Sequence, residues 1–435
     1  MAIKVLIVSS SSFYSTYGGG QVYVKNIVDE MILQQLDIVI ATPGTKSEKS
    51  DSYKGVAVYT FADEIINNNL GQLKDFIANL KPDVVHAHGY KALFAKACKE
   101  LGIPCIVTAH HGGILCPAGA LLNYKDSICT IKANPKDCLP CVLKSVREGI
   151  YVWPLLKIIP VKYQITIGRF LKKLPFLYYI TPVGTAALSI HDKNKEWHSI
   201  YENSTLLIAP SKAIANSMIL NGASSKKIQL VPHGIPLPHH ATDPTLEEKI
   251  GTNLPLKFFF VGRICHEKGV HVMLEAFNQI NSDAELHIIG GIGNRTEESY
   301  SSKLQRKYQE NKKIIWHGKI PADQVNNIIA RFDVMIHPAI FLEVFGLTIS
   351  ESLAMGKPVI ATKCGGAEMQ IQERENGILV APNDVQSLKL GLLAIIENKQ
   401  LFNVNKLGFN AVHSIKKHIV ELIAIYQSQV QSFTN

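Results

Sequence analysis

Short apolar runs alternate with stretches of helical periodicity along most of the chain. Such runs predict buried strands, and apolar residues spaced three or four apart predict the helices between them. In the first half, the predicted strands are Lys4–Val8, Leu36–Ala41, Pro82–His88, Pro104–Thr108, Thr205–Ala209 and Ile228–Val231. The predicted helices are Gln21–Leu36, Lys91–Leu101 and Lys212–Asn221. This alternation predicts a parallel sheet with helices on both faces.

The same alternation restarts after a proline-bearing segment. Ile235–Pro255 carries prolines among polar residues, which is typical of a linker. The predicted strands that follow are Lys257–Val261, Glu285–Ile289, Lys313–Trp316, Val334–His337 and Pro358–Ala361. The predicted helices are Val270–Ile280, Phe345–Met355 and a helical tail over Ser387–Val430, in which Ile415–Gln431 is the last helix.

This pattern predicts an α/β protein with two doubly wound, Rossmann-like domains that face each other across a cleft. We expect an N-terminal domain at 1–235 with an insertion at about 112–180, a hinge linker at 236–255, a C-terminal domain at 256–412, and a C-terminal helix at 413–435 that packs back on the N-terminal domain. Ligands of such sheets bind beyond the carboxyl ends of the strands, so polar residues there are the candidates for function.

Size and charge narrow the class of protein. The 435 residues suit two domains, and the net charge of +9 suits an anionic small molecule or an anionic membrane surface. No run reaches the ~18 apolar residues of a spanning helix. The apolar run Ile3–Val8 is too short for a signal peptide. We therefore expect a cytoplasmic protein, with contact to the inner face of the membrane left open and no nucleic-acid partner.

The segment Glu343–Glu351 carries the strongest chemical signal. Two carboxylates lie about two helical turns apart, and Phe345-Gly346-Leu347 between them is typical of a tight loop that enters a helix. A helix start presents unpaired N–H groups and the positive end of a dipole, so it can hold a phosphate. The alternative is an ordinary helix with two solvated acids, and the spacing alone does not separate the two.

Basic residues and glycines follow other predicted strands. Arg263 and Lys268, each beside a glycine, lie in a strand-to-helix loop where two cations could neutralise a diphosphate in place of a metal ion. Solvated loop charges are the alternative. Gly18–Gly20 follow the first strand and permit close approach of a ligand, but they do not form the G-x-G-x-x-G pattern of dehydrogenases. His110 ends a strand, where it could contact a sugar hydroxyl or serve only the fold.

Together these motifs resemble those of the retaining glycosyltransferases of family 4, which have the two-domain GT-B fold. The motifs are Gly18-Gly19, Thr108-Ala109-His110, Pro232-His233-Gly234, Val261-Gly262-Arg263 with Lys268-Gly269, Glu343-x7-Glu351 with Ala354–Val359, and Gly365-Gly366 with Glu368. The resemblance covers most of the chain, and the C-terminal cluster matches in order, spacing and context. Two positions depart from the family: His111 stands where many relatives carry an acid, and Ile415 where many carry a tryptophan.

The resemblance implies a donor site and a reaction. Arg263 and Lys268 are expected to bind the donor pyrophosphate, and the amides of Phe345, Gly346 and Leu347 its distal phosphate. Glu343 is expected to hold sugar hydroxyls, Glu351 the ribose, and Gly318 to Ile320 the base. Gly18 and Gly19 are expected to close over the phosphate, and His110 to touch the donor sugar. The implied reaction is metal-independent transfer of a hexose, from a UDP-sugar more than a GDP-sugar, to a glycan or lipid-linked acceptor.

Two other functions remain compatible with these motifs. One is a nucleotide-sugar epimerase or hydrolase on the same fold, and the other is a non-catalytic subunit that binds the donor. Product analysis with a labelled donor separates them from a transferase.

The insertion carries two further signals. Cys116, Cys129, Cys138 and Cys141 could hold a structural zinc ion, although only the last pair has typical spacing; reduced free thiols are the alternative. From Lys144 to Lys173 seven basic residues and one acid, Glu148, are interleaved with aromatic and aliphatic residues. Such a surface can dock on anionic lipid. The alternative is a helical insertion that packs on the N-terminal domain, with its lysines in water.

Overall fold

The computed structural model describes residues 3–14, 18–44, 48–62, 69–145, 149–173, 182–237, 255–398 and 412–434. They form two compact units. The first unit comprises residues 1–125, 129–232 and 416–435, and the second comprises 126–128 and 233–415. The expected hinge linker, 236–255, lies largely outside the described residues.

The first unit is built on an eight-stranded sheet. Its strands are β1 Lys4–Val8, β2 Asp37–Gly44, β3 Glu48–Tyr53, β4 Val56–Ala62, β5 Val84–Ala87, β6 Cys105–Thr108, β7 Leu206–Ala209 and β8 Ile228–Leu230. They lie in the order β3-β4-β2-β1-β5-β6-β7-β8, parallel except for β3, which runs antiparallel to β4. The helices of its N-terminal part are α1 Gly19–Leu33, α2 Leu70–Leu80, α3 Lys91–Leu101, α4 Pro135–Lys144, α5 Gly149–Leu156, α6 Val161–Lys172, α7 Pro182–Asn203 and α8 Lys212–Leu220.

The second unit is built on a six-stranded sheet that is parallel throughout. Its strands are β9 Lys257–Val261, β10 Glu285–Ile289, β11 Ile314–Gly318, β12 Val334–His337, β13 Val359–Thr362 and β14 Gly377–Val380. Their order is β11-β10-β9-β12-β13-β14. The helices are α9 Val270–Asn278, α10 Arg295–Lys307, α11 Ala322–Ile329, α12 Leu347–Ala354 and α13 Val385–Glu397. The last helix of the chain, α14 Ile415–Thr434, groups with the first unit from Lys416 onward.

The order of the strands places the ligand-binding edge of each sheet. In the second sheet, successive strands are added on one side of β9 as far as β11 and then on its other side from β12 onward. The loops after the parallel strands β9 and β12 therefore leave side by side from the carboxyl edge. Buried Phe258, Phe259 and Phe260 fill β9 on both faces of the sheet, as expected for a strand that helices cover on two sides.

Local signals explain where several helices begin. Asn134, Ser211, Asn294 and Asp384 precede α4, α8, α10 and α13, and each side chain accepts a hydrogen bond from a backbone N–H of the first turn. Gly102, with φ of 69°, ends α3 in the left-handed conformation that glycine adopts without strain.

The predicted α/β class with two parallel-sheet units is confirmed. The helical tail predicted over Ser387–Val430 contains two helices, α13, which ends at Glu397, and α14, which begins at Ile415; residues 399–411 between them lie outside the described residues. The hairpin of β3 and β4 was not predicted, because Glu48–Tyr53 contains almost no apolar residue to mark a strand. Among the described residues, no helix has the length and apolarity that a transmembrane span requires.

Candidate functional site

Two loops at the carboxyl edge of the second sheet are in backbone contact. One follows β9 and ends in a short 3-10 turn, His266–Lys268, and the other follows β12. Gly269 has a φ of 68°, and a Cβ atom there would lie 1.9 Å from the carbonyl oxygen of Pro338. The N–H of Ile340 donates to the carbonyl of Glu267 at 2.9 Å. Only glycine permits this approach, which places Lys268 beside the second loop.

Lys268 and Glu343 form an ion pair at this junction. The Lys268 Nζ lies 2.5 Å from Oε2 of Glu343, and Nε2 of His337 lies 3.5 Å from the same oxygen. The two partners of the ion pair are 24% and 14% exposed, so water screens the pair only weakly. The site therefore contains one cation and one anion that a ligand can still reach.

Burial alone would raise the pKa of Glu343, but Lys268 and then His337 outweigh it and lower that pKa to about 2. Burial likewise opposes the charge of Lys268, but Glu343 outweighs it and raises the pKa of the ammonium group. Both groups are therefore charged at neutral pH. An ionised carboxylate here can accept hydrogen bonds from hydroxyl groups, and the ammonium can face an anion.

The start of α12 is fixed from the neighbouring loop after β13. Glu343 N–H donates to Cys364 O at 2.7 Å, and Gly366 N–H donates to Glu343 O at 3.0 Å. The Gln370 side-chain amide donates to Phe345 O at 2.5 Å. A Cβ at Gly366 would lie 2.3 Å from the same carbonyl oxygen, so only glycine permits this packing.

Gly346, with φ of 83°, immediately precedes α12, and Leu347 is its first residue. The first N–H groups of a helix have no intrahelical acceptor, and they share the positive end of the helix dipole. Phe345, Gly346 and Leu347 thus lie at a helix start whose loop also carries Glu343, the partner of Lys268. This arrangement suits a phosphate group.

Arg263 has a partner that the sequence did not reveal. Its guanidinium lies 3.2 Å from Oε1 of Glu297, a residue of the first turn of α10. Glu297 is in turn held by the N–H of Gly293, which donates to it at 2.6 Å. Arg263 remains 54% exposed at its side chain, so a ligand can contact it from the open side.

Gly318 lies at the same edge of the sheet as Arg263. The N–H of Gly290 donates to Gly318 O at 2.9 Å, and a Cβ at Gly290 would lie 1.9 Å from Gly262 O. Gly318 has φ of 72°, and no heavy atom lies within 4 Å of where its Cβ would be. Ile320 packs against the core cluster that includes Phe259 and Ile349. The backbone of Gly318 is therefore not covered on the side where a Cβ would lie. The resemblance places the nucleotide base near this residue.

Glu351 lies in a different environment from Glu343. It is half-buried on α12, and no hydrogen bond or ion pair to its carboxylate occurs within the described part of the chain. Burial raises the pKa of Glu351 to about 7. The two acids of the motif, alike in sequence, thus differ in charge near neutral pH because only Glu343 has a cation beside it.

In the first unit, His110 lies beside the glycine loop that opens α1. A Cβ at Gly20 would lie 3.4 Å from the Cβ of His110, and Gly18 precedes the helix with φ of 101°. His110 Nε2 lies 2.8 Å from Nδ1 of His88. Gly18, Gly19 and His110 thus share one end of α1, as expected for residues at the carboxyl edge of this sheet.

His86 has a structural environment instead. Its ring nitrogens lie 2.7 Å from the Tyr426 hydroxyl and 2.7 Å from the Thr108 hydroxyl. Burial lowers the pKa of His86 to about 3, so the imidazole is neutral and joins α14 to the sheet. His86 is best explained as part of the fold of the first unit.

The four clustered cysteines also lie in the first unit, and each is a free thiol. Every pair among Cys116, Cys129, Cys138 and Cys141 is close enough for the charge of one to affect the pKa of the other. The N–H of Asn134 donates to Cys138 Sγ at 3.4 Å, and backbone groups of Ile131 and Tyr124 hydrogen-bond to Cys129 and Cys141. Burial raises the pKa of Cys129, Cys138 and Cys141, and these backbone donors offset only part of that increase. However, no three of these four sulfurs, all of them described, lie within 4.8 Å of one another.

Comparison with solved structures identifies the fold of the chain. Over its full length the chain resembles sucrose-phosphate synthase from Thermosynechococcus elongatus, with a TM-score of 0.68, 17% identity and 99% and 100% of the two chains covered. It also resembles HepE of Anabaena, with a TM-score of 0.63, 17% identity and 100% of both chains covered. Both likenesses show the GT-B glycosyltransferase fold.

Sequence comparison then gives the family. Residues 245–408 match the family described as Glycosyl transferases group 1, and residues 17–127 match Glycosyltransferase Family 4; together these matches span more than half of the chain. The chain belongs to the family 4 glycosyltransferases, which confirms the resemblance.

Two curated relatives show low sequence identity to this chain. An uncharacterized glycosyltransferase of Methanocaldococcus jannaschii is 26% identical over 50% of this chain and 56% of its own length. D-inositol 3-phosphate glycosyltransferase of Xylanimonas cellulosilytica is 28% identical over 42% of this chain and 46% of its own length. The matched segment thus spans about half the length of these relatives.

The titration of Glu351 gives a testable prediction. Burial raises the pKa of Glu351 from its ordinary value of 4.5 to about 7, so between these pH values the folded protein holds a proton that the unfolded chain has lost. Stability should fall as pH rises between these values, by on the order of 1–3 kcal/mol. Glu351→Gln removes this titration, so its melting temperature relative to wild type should rise from pH 5 to pH 8. Exposed Glu298→Gln is the control, and parallel pH profiles for wild type and Glu351→Gln would contradict the assignment.

Proposed function

We propose that the protein transfers a hexosyl group from a nucleotide diphosphate sugar to an acceptor hydroxyl with retention, giving an α-linked product. A UDP-sugar is favoured over a GDP-sugar, and the acceptor is a glycan or a lipid-linked sugar. The observation that carries the proposal is the partly buried Lys268–Glu343 pair beside the fixed start of α12. Membership of the family supports it, and structures of HepE contain UDP, UDP with glucose, and UDP-glucose.

In this proposal the donor diphosphate is the leaving group. Lys268 and Arg263 neutralise its charge, and the amides of Phe345, Gly346 and Leu347 receive the distal phosphate. Cations and amide dipoles that are already in place stabilise charge as it develops, which lowers the barrier without a nucleophilic side chain. Catalysis accordingly needs no divalent metal. Gly18 and Gly19 stay predicted contacts to the phosphate.

The remaining residues orient the donor. Glu343, ionised because Lys268 lies beside it, accepts hydrogen bonds from the sugar hydroxyls. Glu351 contacts the ribose, and Gly318 and Ile320 contact the base through the backbone. His110 stays a predicted contact to the sugar. The acceptor oxygen bonds to the anomeric carbon on the face from which the diphosphate departs, and its proton passes to the departing phosphate oxygen.

Loss of either member of the Lys268–Glu343 pair should lower turnover by orders of magnitude. With UDP-glucose as the probe donor and labelled-product analysis, Lys268→Ala and Glu343→Ala should each lower kcat/KM by about 10²–10³ or more, because preorganised charge stabilisation is lost. Lys307→Ala and Glu275→Ala are matched controls, since that pair at 2.7 Å is exposed and lies on α10 and α9. Near-normal transfer by a site variant would contradict the proposal, and recovery of isomerised or hydrolysed donor alone would indicate an epimerase or hydrolase.

Nucleotide binding should raise the melting temperature of the protein. A ligand at about 100 times its Kd adds about 2.7 kcal/mol to the apparent stability. We expect UDP to raise the melting temperature more than GDP, and Lys268→Ala to remove most of the shift while Lys307→Ala keeps it. The absence of a shift with both nucleotides would contradict a donor site of this kind.

We also propose that Cys116, Cys129, Cys138 and Cys141 hold a structural zinc ion, supported by four thiols in one part of the first unit and by the backbone groups that donate to three of them. Burial raises the pKa of Cys138 to about 12, so the thiolate form requires a cation nearby. Binding also requires the sulfurs to draw closer together.

Elemental analysis of purified protein should give about one zinc per chain. Cys138→Ser/Cys141→Ser should lose that zinc, whereas Cys98→Ser, a change at a buried cysteine outside the cluster, should keep it. Zinc-free wild-type protein with four titratable thiols in this cluster would contradict the proposal.

A further inference from the structure

The helices α5 and α6 form a hairpin with one face against the protein and one face in solvent. Trp153, Leu156 and Ile165 pack against a buried cluster that includes Leu139 and Ile190. The Gln164 side-chain amide donates to Leu156 O at 2.9 Å and to Ile159 O at 2.7 Å, which fixes the turn between the helices. The hairpin is therefore anchored to the first unit by its own apolar residues.

Close packing against α7 fixes the orientation of α6. Gly168 is buried, and a Cβ at this position would lie 2.9 Å from Cβ of Leu188 and 3.2 Å from Gly184 O. Because these neighbours occupy the side that bears Gly168, the residues on the opposite side of α6 must face solvent.

The outward face of the hairpin is apolar, contrary to the usual composition of a solvated helix face. Seven of the eighteen exposed large apolar side chains among the described residues lie here: Tyr151, Leu155, Ile158, Ile159, Tyr163, Ile167 and Phe170. Tyr151 and Ile158 are 80% and 79% exposed, and Phe170 is 61% exposed. Exposed apolar clusters of this kind mark sites of protein or membrane interaction.

These side chains form stripes rather than scattered points. Tyr151, Leu155 and Ile158 are spaced by four and three residues, and so are Tyr163, Ile167 and Phe170. Residues at that spacing lie on one side of a helix. Tyr163, Ile167 and Phe170 therefore form one apolar stripe on α6, and Tyr151 and Leu155 lie on one side of α5, with Ile158 exposed in the turn that follows.

The charge of the hairpin identifies its partner. Between Gly149 and Lys173 there are five basic residues and no acid: Lys157, Lys162, Arg169, Lys172 and Lys173. All five are exposed. A protein surface that covered the stripes would have to be both apolar and acidic, whereas an anionic bilayer supplies phosphate groups at its surface and acyl chains directly beneath. Long basic side chains can reach such phosphates while apolar neighbours enter the interface.

We propose that the outward face of the α5–α6 hairpin docks in the plane of an anionic membrane surface. Tyr151, Leu155, Ile158, Tyr163, Ile167 and Phe170 enter the interface, and the five basic residues contact lipid phosphates. The inference goes beyond the proposed transfer and does not depend on it, since none of these residues belongs to the candidate donor site. A lipid-linked acceptor would be presented at the same surface.

Vesicle co-sedimentation of the full chain tests the proposal. The protein should sediment with vesicles of phosphatidylcholine containing about 30% phosphatidylglycerol, and at least about tenfold less with phosphatidylcholine alone or at high salt. Leu155→Ser/Ile158→Ser/Phe170→Ser should weaken binding at least about tenfold, because the apolar contact is lost. The matched control is Ile219→Ser/Leu220→Ser/Leu390→Ser, three exposed apolar residues elsewhere.

A charge series separates lipid docking from other causes. Lys157→Glu/Lys162→Glu/Lys172→Glu should abolish binding to anionic vesicles, while Lys96→Glu/Lys226→Glu/Lys303→Glu, three exposed lysines elsewhere, should retain most of it. Lys268→Ala should bind vesicles as wild type does, so failure of the transfer proposal would leave this result unchanged. The proposal would be overturned if the wild-type protein did not bind anionic vesicles. It would also be overturned if the wild-type protein formed a dimer and the serine variant were monomeric.

Discussion

The charge pair of Lys268 and Glu343 is the interaction on which the candidate site depends. The partners are separated by 75 positions in the sequence and meet because two strand-ending loops touch through backbone. Burial disfavours the charged form of both groups, and the opposite charge of the partner outweighs this effect in each case. A site prepared for a diphosphate needs such a cation, and a site that also orients a sugar needs an ionised acceptor of hydrogen bonds beside it.

Glycine determines how closely these loops can approach. Gly269 lies against the carbonyl of Pro338, and Gly366 lies against the backbone of Phe345. Neither contact leaves space for a Cβ. The loops are therefore held at these two points by direct backbone contact rather than by side-chain packing. The start of α12 is thereby held in place before any ligand arrives, which avoids the cost of ordering a loop on binding.

The sequence predicted most of the buried central strands, but it missed the polar elements and also the apolar strands β4 and β14. Buried strands such as Lys257–Val261 stand out because helices cover both of their faces, whereas edge strand β3 and helix α10 are largely polar and carry no such signal. Lys268 and Glu343 were assigned to one donor site by the family resemblance, but the ion pair between them was not predicted. The Arg263–Glu297 pair and the opposite pKa shifts of Glu343 and Glu351 depend on tertiary surroundings, which spacing does not encode.

A crystal structure of the protein soaked with UDP tests the central claim most directly. The account predicts density for the distal phosphate at the amides of Phe345, Gly346 and Leu347, with Lys268 Nζ within hydrogen-bond distance of a phosphate oxygen. Density for the nucleotide at any other place, with the start of α12 left bare, would contradict it.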